Sequence, residues 1–230
     1  MLKALLFDLD GTLVNTDPIH FLAWQKMLSR YGIDIDESFY QKTISGRLNP
    51  EILVDILPQL SPQQALDFAD EKEAMFREMA PSLQRLPGLT ELLAWTDTHN
   101  IKRALVTNAP RANAYFMLDV LGLGTAFELI VLAEDEEKAK PDPTPYRVAA
   151  QRLGVNIENA IALEDSPSGI KSAVGAGIKT IGIASTHEPK KLCDIGACMA
   201  IPDFTDLRLW TFLNYQVLEA APITQLEAGA

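Results

Sequence analysis

Apolar positions along this chain follow two different rhythms. A short, nearly continuous apolar run, Lys3 to Phe7, reads as a buried strand. From Asp17 to Ala80 apolar residues recur only at helical spacing, and no strand signal interrupts them. Four helices are predicted there. The first opens at Thr16-Asp17-Pro18, with Thr16 as capping residue, and closes at Gly32; two shorter ones run around Glu37 to Ile44 and Pro50 to Ile56. The fourth is long, Pro62 to about Met79, with Ser61 as its cap. From Pro87 the pattern alternates. Helices near Leu89–His99, Ala112–Leu121, Thr144–Leu153 and Ser168–Ala176 precede strands at Ile101–Thr107, Glu128–Leu132, Ala160–Asp165 and Ile178–Ile183, and Met199–Ile201 comes last.

Apolar, β-rich runs separated by helices call for a parallel sheet covered on both faces. The first strand belongs to that sheet, yet its successor begins only at Ile101, so a helical block is inserted between them. The expected fold class is α/β, a doubly wound Rossmann-like core built from residues 1–16 and 81–217, carrying an all-helical cap at 17–80. Hinges are expected near Asn15-Thr16 and Ala80–Leu83, and residues 218–230 are expected to be a loosely held tail.

Composition narrows the partners. Of 230 residues, 47% are hydrophobic and 22% charged, an ordinary globular balance. No apolar run reaches the roughly 18 residues a membrane span needs. The formal net charge of −11 weighs against nucleic acid and anionic membranes and leaves small charged substrates open. The first residues lack the apolar core and cleavage site of a signal peptide, so a cytoplasmic location is expected. The two cysteines, Cys193 and Cys198, are expected to stay reduced, and without nearby histidines they cannot complete a zinc site. The sequence leaves the oligomeric state open, and a monomer is compatible with it.

Candidate chemistry collects at strand ends, where ligands bind in doubly wound sheets. Asp8 and Asp10 stand one residue apart after the first strand, and on an alternating strand they would point the same way and repel unless something cationic lay between them. Thr107 and Asn108 end the second strand, Lys140 follows the third, and Glu164-Asp165 end the fourth. Together these residues describe a Mg²⁺-dependent phosphoryl-transfer site. Asp8, Asp165 and the Asp10 carbonyl would hold the ion, with Glu164 acting through water. Asp8 would attack phosphorus, giving an aspartyl-phosphate, and Asp10 would serve as general acid and base. Thr107, the Asn108 amide and Lys140 would grip the remaining phosphate oxygens.

With these motifs in order, the chain resembles the haloacid dehalogenase superfamily, in the helical-cap branch that holds β-phosphoglucomutase and many sugar-phosphate phosphatases. The family's D-x-D-G-T matches Asp8 to Thr12, its strand-terminal Thr or Ser matches Thr107, its Lys before proline matches Lys140-Pro141, and its acidic fourth motif matches Glu164-Asp165. The resemblance implies phosphate chemistry rather than dehalogenation, because dehalogenases lack an aspartate at the position of Asp10. Phosphonate cleavage would need a Schiff-base lysine in the cap, and Lys26, Lys42 and Lys72 fall in no such pattern.

Within the cap, His20 and Trp24 share one helix face and are candidates to look into the cleft, against a surface histidine and a packed aromatic. Arg47 is a candidate anion or sugar contact, against a solvated arginine. Lys72 sits in a charged helix whose ordinary meaning is an exposed, salt-bridged face, yet β-phosphoglucomutase-like chains carry His, Trp and Lys where His20, Trp24 and Lys72 stand. Against a mutase, the position of that family's phosphate-gripping arginine is Asn49, and a serine-lysine pair is replaced by Ala109-Pro110. A phosphatase acting on a phosphosugar is therefore expected, with the mutase as the alternative and a non-catalytic binding protein on the same fold as a remote third.

Overall fold

A computed structural model describes residues 1–218 of the chain. Its elements run β1 (Ala4–Phe7), α1 (Asp17–Ser29), α2 (Glu37–Thr43), α3 (Asn49–Ile56), α4 (Pro62–Met79), α5 (Leu89–Thr98), β2 (Lys102–Thr107), α6 (Arg111–Val120), β3 (Leu129–Leu132), α7 (Thr144–Leu153), β4 (Ala160–Glu164), α8 (Pro167–Gly175), β5 (Lys179–Ile183), α9 (Pro189–Ile195), β6 (Met199–Ile201) and α10 (Leu207–Leu218). The strands form one sheet in the order β3-β2-β1-β4-β5-β6, every neighbouring pair parallel.

β1 is central, and all four of its residues are buried. Leu5 and Phe7 join one apolar cluster with residues of α5, α6 and α10, while Ala4 and Leu6 join another with residues of α7 and α8. A strand packed on both faces loses its polar alternation, which is why these strands read as short apolar runs. The chain order reverses across β1, so the loops leaving β1 and β4 open a crevice at their carboxyl ends.

The four helices between Asp17 and Met79 pack on an apolar cluster of their own, including Trp24, Met27, Leu28, Tyr40, Leu53 and Phe68. Ser61 caps α4 as expected, in a reciprocal capping box with Gln64. Thr16 does not cap α1; its hydroxyl is turned toward Asp10 instead. α9 and α10 carry no counterpart in the sequence reading. α9 is seven residues long and buries only Leu192, too little to show a period. α10 is rich in aromatic and β-branched residues that favour strands. The expected tail at 218–230 lies outside the described residues beyond Leu218. Among the described residues no helix is long and apolar enough to cross a membrane.

Candidate active site

Asp8 follows β1 directly, and its N–H continues the ladder to the Leu163 carbonyl at 3.0 Å. The chain then turns sharply, with the Gly11 N–H donating to the Val14 carbonyl at 2.7 Å. Gly11 has φ +78°, and a Cβ there would stand 2.1 Å from Asp165 Oδ2. Only glycine lets the turn press against that carboxylate.

The two aspartates take different partners. Asp8 Oδ1 accepts from Lys140 Nζ at 2.7 Å. Asp10 Oδ1 accepts from Thr16 Oγ1 at 2.6 Å and lies 3.5 Å from His20 Nε2. The cation beside Asp8 is thus a buried lysine, and Asp10 faces the helical block.

Lys140 Nζ also donates to Glu164 Oε1 at 2.5 Å and lies 5.2 Å from the centre of the Tyr146 ring. The Tyr146 hydroxyl donates to the same Glu164 oxygen at 2.6 Å. Glu164 is wholly buried, and Gly169 in α8 makes room for it, since a Cβ there would fall 1.9 Å from Oε2. Asn108, expected to grip phosphate through its carboxamide, borders the cavity and clamps Lys140. Its Nδ2 donates to the Lys140 carbonyl and its Oδ1 accepts from the Lys140 N–H, both at 3.1 Å. Thr107 Oγ1 accepts from the Ala109 N–H at 2.9 Å, which leaves its hydroxyl hydrogen for another acceptor.

Asp8, Glu164 and Asp165 each offer an oxygen within 4.8 Å of the others. Burial and the neighbouring Glu164 push Asp8 up to about 7 despite the pull of Lys140. Burial, Asp8 and Glu164 raise Asp165 well above the ordinary carboxylate range. Lys140 is raised as well, because Asp8 and Glu164 together outweigh the cost of burying an ammonium. With all three carboxylates ionised, one lysine would leave an excess of negative charge; burial and this excess are why Asp8 and Asp165 hold their protons so tightly. Hard oxygen donors with such an excess fit a divalent cation like Mg²⁺.

A cavity of about 680 Å³ lies between this cluster and the helical block, lined by Asp8, Asp10 and Lys140 on one side and His20, Lys72 and Arg77 on the other. Lys72 corrects the reading of its helix as a solvated face. It is 2% exposed, and its Nζ contacts His20 Nδ1 and Glu73 Oε1, each at 2.9 Å. The signal was present in Phe68, Lys72 and Phe76, spaced four apart on one face of α4. Burial lowers Lys72, whereas Lys72 and His20 hold Glu73 below the ordinary range against the effect of burial. His20 stacks on Phe76 with ring centres 4.1 Å apart. Trp24 is a packed aromatic, lodged against Phe68 with Lys72 Nζ 5.4 Å from its ring centre, although it borders the cavity.

Arg47 also borders the cavity, but its guanidinium donates to Asp55 at 2.7 Å and to the Thr43 carbonyl at 2.9 Å. Asn49 donates to Glu73 Oε1 at 2.6 Å. The sequence reading missed Glu73, Arg77, Asn113 and Tyr146. No motif marks them, and they come together only through the packing of α4 on α6 and of α7 on the sheet.

A family model described as haloacid dehalogenase-like hydrolase matches residues 5–183. Validoxylamine A 7'-phosphate phosphatase of Streptomyces hygroscopicus subsp. limoneus is 31% identical across 90% of this chain and 97% of its own length. A phosphorylated carbohydrates phosphatase of Thermotoga maritima is 32% identical across 85% of this chain and 92% of its own. Among solved structures, a β-phosphoglucomutase from Clostridium difficile superimposes with a TM-score of 0.82 at 27% identity, covering 95% of this chain and 98% of that one.

Proposed function

The chain belongs to the haloacid dehalogenase-like hydrolase family, and from that premise we propose that it is a Mg²⁺-dependent phosphatase of small phosphomonoesters, phosphosugars above all, working through an aspartyl-phosphate. The observation that carries the reading is the Asp8–Lys140–Glu164–Asp165 cluster facing a cavity roofed by helices.

Asp8, Asp165 and the Asp10 main-chain carbonyl would hold the metal, with Glu164 through water, and the charge it supplies would offset that of the phosphate. Lys140 fixes one Asp8 oxygen, which leaves the other to attack phosphorus. As the bond from Asp8 to phosphorus forms, the bond from phosphorus to the sugar oxygen breaks, and Asp10 gives that oxygen its proton. Asp10, now ionised, takes a proton from a water that attacks the phosphorus, releasing inorganic phosphate and restoring Asp8. The Thr107 hydroxyl and Lys140 hold phosphate oxygens, and Asn108 acts by keeping the Lys140 backbone in place.

Hydrolysis is favoured over mutation by the far wall of the cavity. A mutase must keep its bisphosphate bound while it turns over, which takes a second grip as strong as the first. Arg47 is held by Asp55, Asn49 is held by Glu73, and Ala109 and Pro110 offer neither donor nor charge from their side chains. The mutase reading draws its support from the fold likeness to β-phosphoglucomutase and from His20 and Lys72 at the cavity wall.

The test is phosphate release from a panel of phosphorylated metabolites with Mg²⁺ or chelator. Sugar monophosphates should be hydrolysed only with the metal. Efficient conversion of β-glucose 1-phosphate to glucose 6-phosphate without phosphate release would replace this reading with the mutase.

A further inference from the structure

A chain of polar contacts runs from the sheet side of the molecule, through the helical block, back to Asp10. It begins at Asn113 on α6, 1% exposed, whose Nδ2 donates to Glu73 Oε2 at 2.6 Å. Glu73 Oε1 accepts from Lys72 Nζ at 2.9 Å. Lys72 Nζ meets His20 Nδ1 at 2.9 Å, and His20 Nε2 stands 3.5 Å from Asp10 Oδ1. Hydrogen-bonding roles propagate along the chain. An ammonium can only donate, so Nδ1 must accept, and the ring hydrogen then belongs on Nε2, facing the Asp10 carboxylate.

Glu73 sits where the two halves of this chain meet. One of its oxygens is satisfied by Lys72 and Asn49 from the helical block, and the other by Asn113 from α6. Asn113 Oδ1 in turn accepts from Arg77 NH1 at 2.5 Å, a second tie between α4 and α6. A buried carboxylate with all its partners in place is costly to disturb. Seating of the helical block on α6 therefore ties down the second oxygen of the carboxylate whose first oxygen holds Lys72.

We propose that Glu73 and Asn113 are positioning residues for the acid step: by holding Lys72 and His20 against Asp10, they align the proton donor only when helices and sheet are docked. The inference rests on the reading of Asp10 as general acid.

Leaving-group dependence tests this. Phenyl phosphate needs a proton on its departing oxygen, whereas the nitro group of p-nitrophenyl phosphate lets the phenolate leave unaided. Single-turnover release of phenol and nitrophenol is measured with Mg²⁺ for the wild type, Asp10→Asn, Glu73→Gln and Asn113→Ala. The ratio of the phenyl rate to the nitrophenyl rate should fall at least about tenfold in Asp10→Asn, and in the same direction by about fivefold or more in Glu73→Gln and Asn113→Ala. A merely structural role would slow both substrates alike and leave the ratio where it was. That result in the two variants, or no change at all, while Asp10→Asn moves the ratio, would overturn the proposal and leave the acid assignment standing. An unmoved ratio in Asp10→Asn would remove the acid assignment and the proposal with it. Should Glu73→Gln fail to fold, Asn113→Ala carries the test, since it keeps the Glu73–Lys72 pair.

Discussion

Replacing the nucleophile should make the metal-free protein more stable. Asp8 is 7% exposed, and its carboxyl is pushed from 3.8 to about 7, mainly by burial. A raised carboxyl disfavours the ionised form in the fold. The cost is absent below 3.8, grows between 3.8 and about 7, and is constant above. At about 1.4 kcal/mol for each tenfold change in the proton equilibrium, the full cost is about 4 kcal/mol. Asp8→Asn keeps the shape and removes the charge, and it also relieves Asp165, which Asp8 repels. In chelator at pH 8 the variant should exceed the wild type by about 4 kcal/mol in urea unfolding, or roughly 10 °C in melting temperature for a chain of this size. The two should converge near pH 3.5, and Mg²⁺ should narrow the gap at pH 8 by stabilising the wild type. A variant no more stable than the wild type at pH 8 in chelator would refute the picture of an over-charged cluster awaiting a cation.

Two further outcomes follow from the same contacts. Gly169→Ala should destabilise by about 1–3 kcal/mol and depress activity, because its Cβ would fall 2.1 Å from Glu164 Oε1, which Lys140 and Tyr146 hold fast; chemical denaturation and phosphate release measure both effects. Glu73, whose ordinary value is 4.5, is held lower, so its contribution to stability is complete above 4.5 and is lost as pH falls through its lower folded value. Glu73→Gln should cost about 3 kcal/mol at pH 7 by stranding Lys72, and the difference from wild type should shrink in acid unfolding below pH 4.5.

The core of the site was legible because it is local in sequence. Asp8, Thr107, Lys140 and the Glu164-Asp165 pair each sit at or just after a strand whose apolar run is plain, and a parallel sheet brings such ends together whatever the intervening lengths. What each residue does there was less legible. Asn108 was read as a phosphate donor, and its carboxamide also clamps the backbone of Lys140, a partner 32 positions away that no local pattern announces. Thr16 looked like a cap, yet its hydroxyl goes to Asp10. Lys72 illustrates the limit of reading charge on a helix. Its neighbours Asp70 and Glu71 suggested a wet face, whereas its fate was decided by α4 laying that side against α1, where His20 and Trp24 receive it. The spacing of Phe68, Lys72 and Phe76 marks the buried side of α4, but the particular partners depend on how the two helices cross.

The account turns on Asp8 carrying the phosphoryl group, and the direct measurement is the mass of the protein quenched in acid during turnover of a sugar monophosphate with Mg²⁺. The account predicts a fraction of the chains heavier by one phosphoryl group, located on the peptide that contains Asp8, absent in chelator and absent in Asp8→Asn. A phosphoryl group found on another residue, or steady phosphate release by Asp8→Asn, would contradict it.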